Sequence, residues 1–114
     1  MGHENSRFKI LSENVDGYIG VCECCQQFNF AYKTVLLTFS EDEFHRFFEW
    51  IIANRYTPQY YAPLHHGRTR MYSSPHSNLF LVYSDEELDA VTHLYQETLL
   101  ILEAQKLLLS NRMN

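Results

Sequence analysis

The sequence predicts an α+β domain: a mainly antiparallel β-sheet with two helices packed on one face, the second helix long and C-terminal. Three observations carry that reading. Short runs rich in β-branched and aromatic residues recur at strand length over 18–22, 28–32, 34–39 and 78–83. Two Ser-x-x-Glu sequences each open a stretch whose apolar residues recur with helical spacing. The whole chain of 114 residues is the size of one domain.

Taken in order, Arg7-Phe8-Lys9-Ile10 alternates in polarity and reads as a first, edge strand. Asp16-Gly17 is a turn signal, and 18–22 (YIGVC) and 28–32 (FNFAY) read as strands joined through the cysteines. Residues 34–39 (TVLLTF) make another. Ser40-Glu41-Asp42-Glu43 is a capping box, with three carboxylates at the positive end of a helix. Behind it Phe44, Phe47, Phe48 and Ile51 fall on one helical face, in a helix running to about Asn54. Pro58 and Pro63 forbid a regular helix over 55–67 (RYTPQYYAPLHHG), which reads as an aromatic-rich loop. Residues 68–72 pair with 78–83 across a turn. Ser84-Asp85-Glu86-Glu87 is a second capping box, opening a helix to about Arg112.

The second half echoes the first. Ser40 aligns with Ser84, Glu43 with Glu87, Phe44 with Leu88 and Phe47 with Val91, at an offset of 44 residues. A duplicated ββα unit and convergent helix-start grammar both account for this. The tail of the last helix carries Leu99, Leu100, Ile101, Leu102, Leu107, Leu108 and Leu109, apolar on more than one side. Such a helix requires cover all round, from its own domain or from a second subunit, and a homodimer is the expectation, two-fold dimers being the commonest oligomers. Residues 1–6 and 110–114 are expected to fray.

An apolar share of 46%, with 15% aromatic, is ample for a core. The formal charge of −5 argues against a nucleic-acid binder. No run approaches the ~20 apolar residues of a membrane span, and the first twelve residues lack a signal-peptide core. A cytoplasmic home follows, where cysteines are thiols or metal ligands rather than disulfides.

The three cysteines all lie in Cys22-Glu23-Cys24-Cys25, between two strands. Cys22 and Cys25 are spaced as half of a structural zinc site, and two further ligands would close the tetrahedron. His65 and His66 are the foremost candidates, His76 and His3 the next. Gln26 stands where a zinc knuckle usually has glycine. The competing reading makes Cys22 and Cys25 small buried hydrophobes. Thiol redox catalysis fits poorly, since a strand rather than a helix follows Cys25 and Glu23 would raise the thiol pKa values.

Several stretches resemble a family of small, functionally uncharacterised proteins of Bacteroidota with a Cys-x-x-Cys hairpin. They are 17–22 with Cys25 (GYIGVC-x-x-C), then Phe28-x-Phe30-Ala31-Tyr32, and 78–83 (NLFLVY) with Glu87-Leu88. The resemblance covers roughly 16–105. It implies this architecture and singles out Cys22 and Cys25, leaving Cys24 incidental. Typical members carry glycine where this chain has Lys33. No activity comes with it.

Other chemistry is thin. Glu41, His45 and Glu49 share a helix side but read as a solvated charge row, and His93 likewise. No nucleophile elbow or phosphate-binding glycine loop occurs. Arg68 and Arg70 interleave with Tyr56, Tyr60, Tyr61 and Tyr72, a composition enriched at protein interfaces. The sequence therefore predicts a non-enzymatic interaction or regulatory module, with that loop as its surface and an unidentified protein partner. The alternatives are a zinc-binding domain and, more remotely, a thiol-dependent enzyme.

Overall fold

The structure, a computed structural model, describes residues 7–113, so His3 and the expected fraying of 1–6 lie outside it. Four strands, β1 (Phe8–Glu13), β2 (Gly17–Cys22), β3 (Gln27–Tyr32) and β4 (Val35–Phe39), form one antiparallel sheet in sequence order. Helix α1 (Glu41–Ala53) follows, then two 3-10 turns (Pro58–Tyr60 and His65–Gly67). Strands β5 (Arg70–Ser73) and β6 (Phe80–Tyr83) pair with each other, and α2 (Asp85–Met113) closes the chain. The order β-β-α does recur, but the second hairpin builds its own two-stranded sheet instead of extending the first.

The core lies on one face of the larger sheet. Period-two alternation points Phe28, Phe30 and Tyr32 of β3 inward, opposite Ile19 on β2 and Leu37 and Phe39 on β4. The α1 stripe of Phe44, Phe47, Phe48 and Ile51 is buried against them. Phe44 stacks on Phe28 with centroids 4.5 Å apart, and Phe48 meets Phe30 at 4.9 Å. Helix α2 covers the same face, its Tyr95 ring parallel to Phe48 at 4.7 Å. Both helices start in capping boxes. Ser40 Oγ accepts from the Glu43 amide and Ser84 Oγ from the Glu87 amide, while each Glu accepts from its serine amide in return.

The sequence pattern misses the end of β1. A bulge between Ile10 and Ser12 breaks the alternation, turning Leu11 into the core after an exposed Ile10. Ser12 then faces α2 and donates to the Leu94 carbonyl at 2.8 Å, beside Thr98, whose hydroxyl donates to the same oxygen at 2.9 Å. Ser12→Ala is expected to cost about 1 kcal/mol, because Thr98 still satisfies Leu94 and only one net hydrogen bond is lost. A shift in the denaturant midpoint at unchanged slope measures it; a cost above about 3 kcal/mol would mean a buried acceptor had been orphaned.

A three-thiol turn as the candidate functional site

Cys22 ends β2 and Gln27 begins β3, and the two are cross-strand partners. Residues 23–26 must therefore reverse the chain in four residues. The Gln26 amide donates to the Cys22 carbonyl at 2.7 Å, closing the turn, and the Gln26 side chain donates to the Glu23 carbonyl at 3.1 Å. The Glu23 amide donates to the Arg7 carbonyl at 3.0 Å, tying the turn to the chain entering β1. Gln26 sits at φ 59°, the left-handed backbone for which glycine is the usual choice. The turn a zinc knuckle needs is thus present without its glycine.

This reversal gathers all three sulfurs. The Sγ atoms of Cys22, Cys24 and Cys25 lie within 4.8 Å of one another, and Cys22 Sγ is 3.1 Å from Cys24 Sγ. Cys24, expected to be incidental, lies inside the cluster, because a tight turn brings residues i and i+2 together as readily as i and i+3. Cys22 is buried, whereas Cys24 and Cys25 are exposed. The packing explanation consequently fits Cys22 alone.

The cluster shifts its own protonation. The Cys24 thiol, and then Cys25, hold the Cys22 pKa below the ordinary thiol value. Cys24 is pushed up to about 11, first by its hydrogen bond to Cys22 and then by desolvation. The rise expected from Glu23 is thus seen at Cys24 and not at Cys22, and in both the neighbouring thiols are the first cause. Within the cluster, Cys22 is thus the easier thiol to deprotonate and Cys24 the harder.

The histidines lie elsewhere. His65 and His66 occupy the second 3-10 turn, with His66 at φ 63°. Arg68, just beyond, makes a two-pronged contact with Glu87, which also takes Lys33 Nζ at 2.6 Å. Lys33 is in the β3–β4 turn, at the opposite end of β3 from the cysteines, about 20 Å along the strand. Among the described residues no histidine joins the sulfur cluster. His76 lies in the β5–β6 connection, where its amide donates to Ser74 Oγ.

The loop expected to form a surface is partly core. Tyr72 is fully buried, its hydroxyl donating to the Asn54 carbonyl. Arg70 is 6% exposed; it spans the Arg55 carbonyl, the Tyr61 hydroxyl and Asp85, and its guanidinium stacks 3.9 Å over the Tyr61 ring. Tyr60 packs between Trp50 and Tyr72. These three residues hold the loop onto α1 instead of facing outward. The cause is strand parity: inward Tyr72 carries Arg70 to the same side. Tyr56 and Tyr61 remain exposed.

One cleft, of about 420 Å³, opens between the start of β4 and β6 over Tyr32, Lys33, Arg68 and Glu87. Both its cations contact the single Glu87 carboxylate, which offsets one of their two charges. In the helix row, His45 contacts the Tyr95 hydroxyl at 2.8 Å, and His93 pairs with Glu97.

The chain belongs to a family of unknown function (DUF6686), whose pattern matches residues 4–111. No curated protein and no solved structure matches it. The Lys33 position, glycine in the resemblance drawn from the sequence, adopts φ 55°, so the β3–β4 turn is as tight as glycine would make it.

Proposed function

We propose that this chain is a non-enzymatic metal-thiolate module of the reducing cytoplasm, binding a zinc-class cation through Cys22, Cys24 and Cys25. One observation carries this: three sulfurs within 4.8 Å on a single closed turn. Bonds of ~2.3 Å to a tetrahedral Zn²⁺ place sulfurs about 3.8 Å apart. The Cys22–Cys24 separation of 3.1 Å and the 4.8 Å limit on the others differ from that value by no more than about 1 Å. Three thiolates leave one tetrahedral position for water or a group from a partner. Soft sulfur donors select thiophilic ions such as Zn²⁺ or Cu⁺ over Ca²⁺ or Mg²⁺.

Redox chemistry is less well supported. The cluster is followed by a strand, with no helix dipole to stabilise a nucleophile. Nucleic-acid binding has little support from the arginines, because Arg55, Arg68 and Arg70 are each paired with a carboxylate: Asp89, Glu87 and Asp85.

Zn²⁺ titration of the reduced protein tests the proposal. One ion per chain is expected, with proton release and weaker binding as pH falls. Cys24→Ser and Cys25→Ser should each lower affinity by more than the ~10–100-fold that loss of a supporting outer-shell partner costs. His65→Ala and His66→Ala should leave it unchanged. Equal affinity in wild type and the cysteine variants would refute the ligand set.

A second reading, that the module works by binding a protein, is favoured by Tyr56, 72% exposed beside the half-exposed Tyr61. Rings of this size at a surface are common anchors for a partner. The two readings are compatible.

A further inference from the structure

Helix α2 is 29 residues long, about 43 Å, and outruns the body it packs on. The inward residues Leu88, Val91, Leu94, Tyr95 and Thr98 are buried, and Leu102 is the last apolar side chain packed against the core. Beyond them six large apolar side chains stand 40–71% exposed: Leu99, Leu100, Ile101, Leu107, Leu108 and Leu109. Leu100, Ile101, Ala104, Leu107 and Leu108 follow the i, i+1, i+4, i+7, i+8 spacing of a single stripe. At 100° per residue that stripe points roughly 150° away from the buried face. The body of this chain leaves it uncovered.

Its occupant can be read from its order. On this stripe four exposed residues are mirror-symmetric about Ala104: Ile101 stands opposite Leu107 and Leu100 opposite Leu108. A two-fold, isologous contact requires this self-complementarity. We propose that the C-terminal half of α2 docks antiparallel on the same segment of a second copy, with Ala104 on the two-fold axis. The small side chain at the crossing point lets the two helices approach closely.

Charge selects the direction. Glu97 extends the stripe by one turn, in the spacing 97, 101, 104, 108. In a parallel pair it would face its own copy, two carboxylates together. Antiparallel, it faces Asn111 of the second copy, and the helix dipoles also oppose favourably. The overlap, from about residue 97 to 111, is about 22 Å long. A single helix pair in contact over so short a length buries less than a standard interface of ~800 Å² per partner, so the dimer should be reversible, with dissociation on the order of micromolar. The contact is independent of the thiol site.

Sedimentation equilibrium of the full chain over a wide concentration range tests this. The wild type should pass from monomer to dimer. Leu100→Glu and Leu108→Lys should each weaken the dimer at least about tenfold while circular dichroism stays unchanged, since both sites are exposed. The double variant L100E/L108K should regain most of that loss, because antiparallel pairing sets each Glu against a Lys. A double variant weaker than both singles would overturn the antiparallel arrangement. A wild type that stays monomeric throughout, or single variants that dimerise unchanged, would overturn the surface itself.

Discussion

Phe48→Ala is expected to cost about 3–5 kcal/mol, the largest single loss in the molecule. Its ring is fully buried and lies within 5.1 Å, centroid to centroid, of four others: Phe30 on β3, Phe44 and Phe47 on α1, and Tyr95 on α2. Truncation removes the ring's transfer energy and leaves a cavity bordered by the sheet and both helices. None can close it without moving against the other two. Domains of this size are stable by ~5–15 kcal/mol, so the variant should be marginal. Phe48→Leu should keep it folded, at a cost of about 1–2 kcal/mol. Urea midpoints measure both; a loss below about 1 kcal/mol for the alanine variant would mean the rings repack freely.

Glu87→Gln is expected to cost about 2 kcal/mol near neutral pH and to remove most of the acid sensitivity. The carboxylate holds three segments at once: Lys33 in the β3–β4 turn, Arg68 ahead of β5, and the Ser84 amide at the start of α2. Burial pushes its pKa up, but Lys33, the Ser84 amide and Arg68 outweigh that and hold it down at about 2. The unfolded carboxyl, near ~4.3, takes up a proton before the folded one does. The resulting stability is complete above about pH 4.5 and drains away as pH falls towards 2. Partial exposure of Lys33 and Arg68 trims the figure by screening. Melting curves from pH 7 to 2.5 should fall steeply for wild type and more shallowly for the variant. Parallel curves would contradict the assignment.

The parts of the fold visible in the sequence are those set by local chemistry. Ser40 and Ser84, each with a glutamate three residues on, mark both helix starts, because that spacing satisfies orphan amides wherever it occurs. Phe44, Phe47, Phe48 and Ile51 announce a buried face by period alone. What the sequence hides depends on tertiary placement. The bulge at Leu11 has no local signature beyond two adjacent apolar residues. Arg70 reads as a surface cation, yet strand parity with Tyr72 turns it inward, where carbonyl and carboxylate partners meet it. The separateness of the β5–β6 sheet likewise follows from packing and leaves no trace in alternation.

The thiol site is half legible in the sequence. Cysteine spacing draws notice to Cys22 and Cys25, but zinc-knuckle grammar diverts it to distant histidines. The overlooked signal is Cys24 itself. A four-residue reversal can bring residues i, i+2 and i+3 to one side, and here it gathers the three sulfurs. Gln26 could not be read from residue type as left-handed, since only glycine and asparagine advertise that backbone.

Elemental analysis of the chain, purified under reducing conditions without added chelator, bears most directly on the metal-thiolate account. About one zinc per chain is predicted, lost when Cys22, Cys24 and Cys25 are all changed to serine. A folded, metal-free protein whose three thiols all remain reactive to alkylation in the presence of equimolar Zn²⁺ would contradict it.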